Sequence, residues 1–126
     1  MATRTSAQPT LTVGGRLYTG TKTWEADGWQ LRAIIERDTD ATPDELGYSD
    51  AAIRAWRDDA WSFVEVAVEA RREGVLLATE YLCGIEDDCG EAHLADILAE
   101  LEGIAIAQAR RVVRRLGASL TGGGDA

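Results

Sequence analysis

The chain has 126 residues, 45% of them hydrophobic, and carries 22 acidic side chains against 13 basic ones, for a formal charge of −9. That balance disfavours nucleic-acid binding over the whole surface, because phosphates would be repelled. Two cysteines exclude a disulfide-dense scaffold, and no apolar run approaches the ~20 residues of a membrane span.

Residues 1–9 are polar and lack periodicity, so a flexible N-terminus is expected, followed by a single domain over 10–119 and a flexible Gly-rich tail over 120–126. The first residues carry no apolar core of a secretion signal, and a cytoplasmic protein is expected. Leu11-Thr12-Val13 and Arg16-Leu17-Tyr18 flank Gly14-Gly15, a pattern that suits a short hairpin. Over 29–37, Trp29, Leu31, Ala33 and Ile35 fall on one parity, which predicts a strand with one face on a core. Residues 38–50 read as a loop, since Asp38, Asp40, Pro43, Asp44 and Gly47 all favour turns. Ser49 or Asp50 can cap a short helix over 50–59, with Ile53 and Trp56 on one side of it.

From 61 to 71, Val64, Val66 and Val68 share a face opposite Glu65 and Glu69. Arg72-Glu73-Gly74 supplies a turn, and 75–85 returns with Val75, Leu77, Tyr81, Cys83 and Ile85 on one parity, which completes a hairpin. After a break at Glu86-Asp87-Asp88-Cys89-Gly90, apolar residues from Leu94 to Leu116 follow helical spacing over 91–116. Acids lead that helix, arginines finish it, and Gly117 is the expected C-cap. The fold class is α+β: a small antiparallel sheet of three or four strands packed against one long C-terminal helix, with one short helix before the central hairpin.

Motifs for chemistry are weak. Cys83, Cys89 and His93 form C-x5-C-x3-H, whereas structural zinc sites use closer cysteine pairs and a fourth ligand. On its strand Cys83 reads as a buried small hydrophobe. Asp38-x-Asp40-x-Thr42-x-Asp44 looks like the start of a calcium loop, but Pro43 stands where Gly is needed and Ser49 where a bidentate Glu is needed. Glu86, Asp87, Asp88 and His93 offer the alternative of a small metal-dependent enzyme. Acid–base work needs two carboxylates in different environments, which three consecutive exposed acids do not supply. Capping of the long helix accounts for at least one of them. No nucleophile-elbow, metalloprotease or phosphate-loop pattern occurs. The expectation is no enzyme, no metal and no cofactor.

Charge is segregated along the chain: residues 1–35 carry +2, residues 36–102 carry −14 and residues 103–126 carry +3. Acids gathered on one side of a small protein compete for basic grooves built to hold phosphates. Trp24, Trp29, Trp56 and Trp61 flank the acidic loop in two pairs, and one or two of them could serve as exposed anchors. The expected partner-binding residues are Asp38, Asp40, Asp44, Glu45, Glu86, Asp87, Asp88, Trp56 and Trp61. Arg110, Arg111, Arg114 and Arg115 complement the helix dipole, or meet the acidic belt of another copy in a homodimer.

The run Trp56-x4-Trp61-x2-Val64-x-Val66-x-Val68-x-Ala70, then Gly74-Val75, then Tyr81-Leu82-x-Gly84-Ile85-Glu86-x-Asp88 and an Ala/Leu/Glu-rich helix, resembles small uncharacterised proteins of phages and mobile elements of high-GC bacteria. Those relatives often carry Trp in place of Cys83 and Ser in place of Asp87. Twelve arginines against one lysine agree with such a source. The resemblance implies a mobile-element origin in a host cytoplasm. In that setting the acidic surface is expected to inhibit a host defence complex, of anti-CRISPR or anti-restriction type, by blocking its basic nucleic-acid-binding groove. Direct contact with nucleic acid or membrane is not expected.

Overall fold

The computed structural model describes residues 12, 13 and 15–122, and for residues 13, 45 and 118–122 the backbone alone. The expected flexible N-terminus, residues 1–9, lies outside the described residues, as do the last four. β1 (Thr12–Val13) and β2 (Arg16–Leu17) form the expected short hairpin, with Thr12 opposite Leu17 and Val13 opposite Arg16. β3 (Gly20–Ala26), β4 (Trp29–Arg37), β5 (Phe63–Arg72) and β6 (Val75–Glu86) follow one another in a four-stranded antiparallel sheet. α1 (Asp50–Arg57) precedes β5 and α2 (Glu91–Gly122) follows β6. The fold is α+β, as the sequence predicts.

Local chemistry sets the boundaries. The turns Asp27-Gly28 and Glu73-Gly74 have positive φ at both positions, 55° and 79° in one and 53° and 78° in the other. That is the mirror-image turn whose twist matches paired strands, and it explains a Gly at the second place. The Ser49 hydroxyl accepts the Ala52 N–H and caps α1. A single 3-10 turn, Pro43–Leu46, interrupts the acidic loop. The Asp27-Gly28 and Glu73-Gly74 turns define one end of the sheet, the turn end. At the opposite, loop end β4 runs into residues 38–62 and β6 runs into α2.

One face of the sheet is covered by α2. Trp24 and Ala26 of β3, Trp29, Leu31, Ala33 and Ile35 of β4, Val64, Val66, Val68 and Ala70 of β5, and Ile85 of β6 are buried there. They meet Leu94, Leu98, Leu101, Ala105 and Ala109, which recur every three or four residues on α2. The helix lies chiefly over β6 and β5 and barely reaches β4. Two tryptophans fill the remaining width. Trp24 donates its Nε1–H to the buried Glu102 carboxylate at 2.7 Å, and the Arg72 guanidinium lies 3.7 Å from the Trp29 ring centre.

Two expectations need correction. Gly117 does not end the helix; α2 runs through it to Gly122, so residues 120–122 of the expected tail are helical. Among the described side chains the last buried one is Ala109, and at 1.5 Å per residue the remaining turns reach ~20 Å beyond it. The second correction concerns β6. Tyr81 and Cys83 are exposed and do not share a face with Ile85. Irregularities between Val64 and Val66 and between Ala70 and Arg71 set extra residues of β6 against β5. Each such bulge flips the parity. Tyr81 therefore pairs with outward-facing Ala67, and Cys83 donates to Glu65 on the same outer face, 3.4 Å away.

Among the described residues the outer face is covered only at the loop end. There the segment holding α1 folds back over β5, and Tyr48, Trp61 and Phe63 form a second, smaller aromatic cluster. Tyr48 stacks on Trp61 at 5.3 Å, and Phe63 meets both edge-on at 4.9–5.8 Å. The Trp61 Nε1–H donates to the Ala52 carbonyl of α1, which fixes the helix on the cluster.

Candidate functional site: the acidic loop end

Four stretches far apart in sequence deliver acids to the loop end: the end of β4, the segment 38–59, the end of β6 and the start of α2. Asp38 closes β4 against β6. Its N–H donates to the Phe63 carbonyl, and its carboxylate accepts the N–H of Asp40 at 3.2 Å and of Gly84 at 2.9 Å. Asp40 stands exposed beside it. Asp44 meets Arg57 at 3.3 Å in a solvent-exposed pair, worth little by itself. Asp59, also exposed, lies 3.6 Å from both Arg16 and Arg37. Glu86 is half-buried and accepts the Tyr48 hydroxyl, and Asp88 is exposed. The side chain of Glu45 lies outside the described residues.

Two neutral groups register this concentration of carboxylates. The Tyr48 phenol is pushed up to about 12, first by its hydrogen bond to Glu86, then by burial, then by the charges of Glu86 and Asp88. The Cys83 thiol is raised by burial first, and further by Glu65, Asp38 and Asp40. Negative charge thus converges on β6 from both flanks of its final turn.

Two expected partner-binding residues are not on the surface. Asp87 is 2% exposed. Its carboxylate accepts Arg16 Nε and Nη2 at 3.0 and 2.7 Å, the Ser62 hydroxyl at 2.9 Å and the Ser62 N–H at 3.0 Å. Its backbone joins in, taking the Leu17 N–H and donating to the Ser62 carbonyl. The buried charge is tolerated because it is paired and fully hydrogen-bonded, and Asp87 holds the Arg16 guanidinium above its ordinary pKa. Asp87 locks the β1–β2 hairpin onto the sheet. It does not cap α2, which opens after Gly90, whose carbonyl accepts the Leu94 N–H. Trp61 is 7% exposed and belongs to the aromatic cluster beneath α1. Trp24 and Trp29 are buried too, so of the four tryptophans Trp56 alone is half-exposed.

Cys83, Cys89 and His93 line one shallow groove between the end of β6 and the first turns of α2, with Leu82, Ile85 and Glu86. Their donor atoms are engaged apart: Cys83 faces Glu65, and Cys89 donates to the Gly90 carbonyl at 3.7 Å. The Cys89 thiol is also raised, mainly by burial, so neither cysteine is activated as a thiolate. Among the described residues no three His, Cys, Asp or Glu side chains gather closely enough to hold a metal ion. What the loop end offers is a hydrogen-bonded platform presenting exposed Asp40, Asp58 and Asp88, with Asp44 and Asp59 exposed but paired with Arg57 and with Arg16 and Arg37. Sequence reasoning missed Arg16, Ser62 and Tyr48, which brace it; their partners lie 71, 25 and 38 residues away, and no local spacing announces them.

No family model, curated protein or solved structure matches the chain. No helix among the described residues is long and apolar enough to cross a membrane.

Proposed function

We propose that the chain is a non-enzymatic binding protein whose acidic loop end occupies a basic, nucleic-acid-binding groove on a protein partner. In a phage or mobile-element setting that partner is a host defence complex, of the kind anti-CRISPR and anti-restriction inhibitors act on. The observation that supports this reading is the convergence of exposed carboxylates from separate segments on one braced end. Charges carried on a braced backbone cost less ordering entropy on binding and steer a basic partner from a distance. Exposed Asp40, Asp44 and Asp88 form the contact set, with half-buried Asp38 and Glu86 behind them and half-exposed Trp56 as the apolar element.

The test is capture from a host lysate by the full chain and by an Asp40→Asn/Asp44→Asn/Asp88→Asn variant, followed by gel-shift assays of the captured protein. The expected partner binds nucleic acid, loses it when the wild-type chain is added, and releases the chain between low salt and ~0.5 M, where surface charges are screened. Affinity that is unchanged by salt, or by the three substitutions, refutes the reading.

A further inference from the structure

We propose that β6 is the seam of a two-fold homodimer, in which two copies of this chain pair antiparallel along residues 75–83 and extend the sheet from four strands to eight. This is independent of the acidic-end reading. The two edges of the sheet differ in the way that matters. β3 is seven residues long and carries Lys22 and Glu25 among threonines, the usual protection of a free edge. β6 is twelve residues long; a bulge at Leu76–Ala78 interrupts it, but Glu80 is the single charge between 75 and 83. Tyr81 and Leu82 are 61% and 47% exposed, and Val75 and Leu76 are exposed beside them.

The off-centre helix fits a second copy. Strands lie about 4.8 Å apart, so a helix straddling β5 and β6 stands ~5 Å from a two-fold axis running just outside β6. Two such helices stand ~10 Å apart, the distance at which helices pack. Ile104 is 39% exposed on the flank that His93 and Ile97 turn toward Leu82 of β6. It lies ~20 Å along α2 from the loop end, and Thr79 lies ~23 Å back along β6, so an axis through Thr79 passes beside Ile104.

Charge settles the occupant. Asp96, Glu100, Ile104, Arg111 and Arg115 recur at helical spacing along that flank, acids toward the loop end and arginines toward the tip. Antiparallel pairing sets each copy's acids against the other's arginines, and the two helix dipoles oppose.

Sedimentation of the full chain should give twice the monomer mass, dissociating on dilution. Tyr81→Lys/Leu82→Lys should weaken dimerisation about tenfold or more with unchanged circular dichroism, whereas Thr21→Lys/Thr23→Lys on β3 should leave it intact. With Cys83→Ser and Cys89→Ser, an Ile104→Cys chain should cross-link to itself under copper-phenanthroline. A wild-type monomer at ~100 µM, well above the dissociation constants of ordinary dimers, overturns the proposal. So does a dimer indifferent to the β6 substitutions, or one that Ile104→Cys fails to cross-link. A monomeric variant that still binds a basic partner would leave the acidic-end reading standing.

Discussion

The two ends of α2 stand in opposite surroundings. At its start, Glu91 accepts the Thr12 hydroxyl at 2.7 Å, Leu94 is buried, and the adjoining Asp87 is locked to Arg16 and Ser62. At its tip, Arg110, Arg111, Arg114 and Arg115 form no ion pair among the described residues, and Val113 and Leu116 are exposed. Charge therefore does two kinds of work in this chain. Some acids are structural, bonded within the fold and unavailable to a partner. Others, with the tip arginines, shape the field outside the molecule and contribute little to stability. Counting acids in the sequence merges the two kinds, and −9 overstates what a partner meets.

The sharpest way to break this distinction is to remove neighbouring acids one at a time. Asp87→Ala leaves the Arg16 guanidinium and the Ser62 donors without their shared acceptor, and loss of one partner from such a buried pair costs about 3–5 kcal/mol. Asp88→Ala, at an exposed position, should move stability by no more than ~0.5 kcal/mol. Urea unfolding of the two variants measures both. Equal costs would mean that Asp87 and Asp88 are of one kind after all.

The same contrast holds along the helix. Leu98 is fully buried against the sheet, and Leu98→Ala should cost about 2–5 kcal/mol through lost contacts and a cavity. Leu116, two turns past the last buried residue, is 53% exposed, and Leu116→Ala should change stability by less than ~0.5 kcal/mol. Midpoints of urea unfolding again decide. A large effect at Leu116 would show that the tip folds back onto the body.

How much of this was legible in the sequence follows from how local each cause is. The alternation of β4, the Ser49 cap and the periodicity of α2 are set by neighbours within a few residues, and they stand as read. β3 is not legible in the sequence because Thr-Lys-Thr hides the alternation of an edge strand, although Asp27-Gly28 announces the turn after it. The faces of β6 depart from its sequence parity because a bulge belongs to a strand pair, not to a strand. At the candidate site, the sequence reveals that acids cluster but not which of them turn inward. Asp87 and Asp88 are chemically alike, and Arg16, 71 residues upstream, decides between them.

Tyr48 offers the smallest and most specific test, because it sits where the two kinds of acid meet. Its ring belongs to the aromatic cluster and its hydroxyl binds half-buried Glu86, the acid that is partly structural and partly surface. Tyr48→Phe keeps the packing and removes one hydrogen bond, so at neutral pH it should cost about 0.5–1.5 kcal/mol. The sign of the pH dependence follows from the phenol. Unfolded, it ionises near ~10; folded, it holds its proton up to about 12. Stability from this group is intact below pH ~10 and is lost as pH rises through the folded value. Wild type should therefore fall toward the Tyr48→Phe variant between pH 10 and 12, read as converging urea midpoints. A gap that stays constant across that window would mean the hydroxyl does not lean on Glu86, and that Glu86 belongs wholly to the surface set.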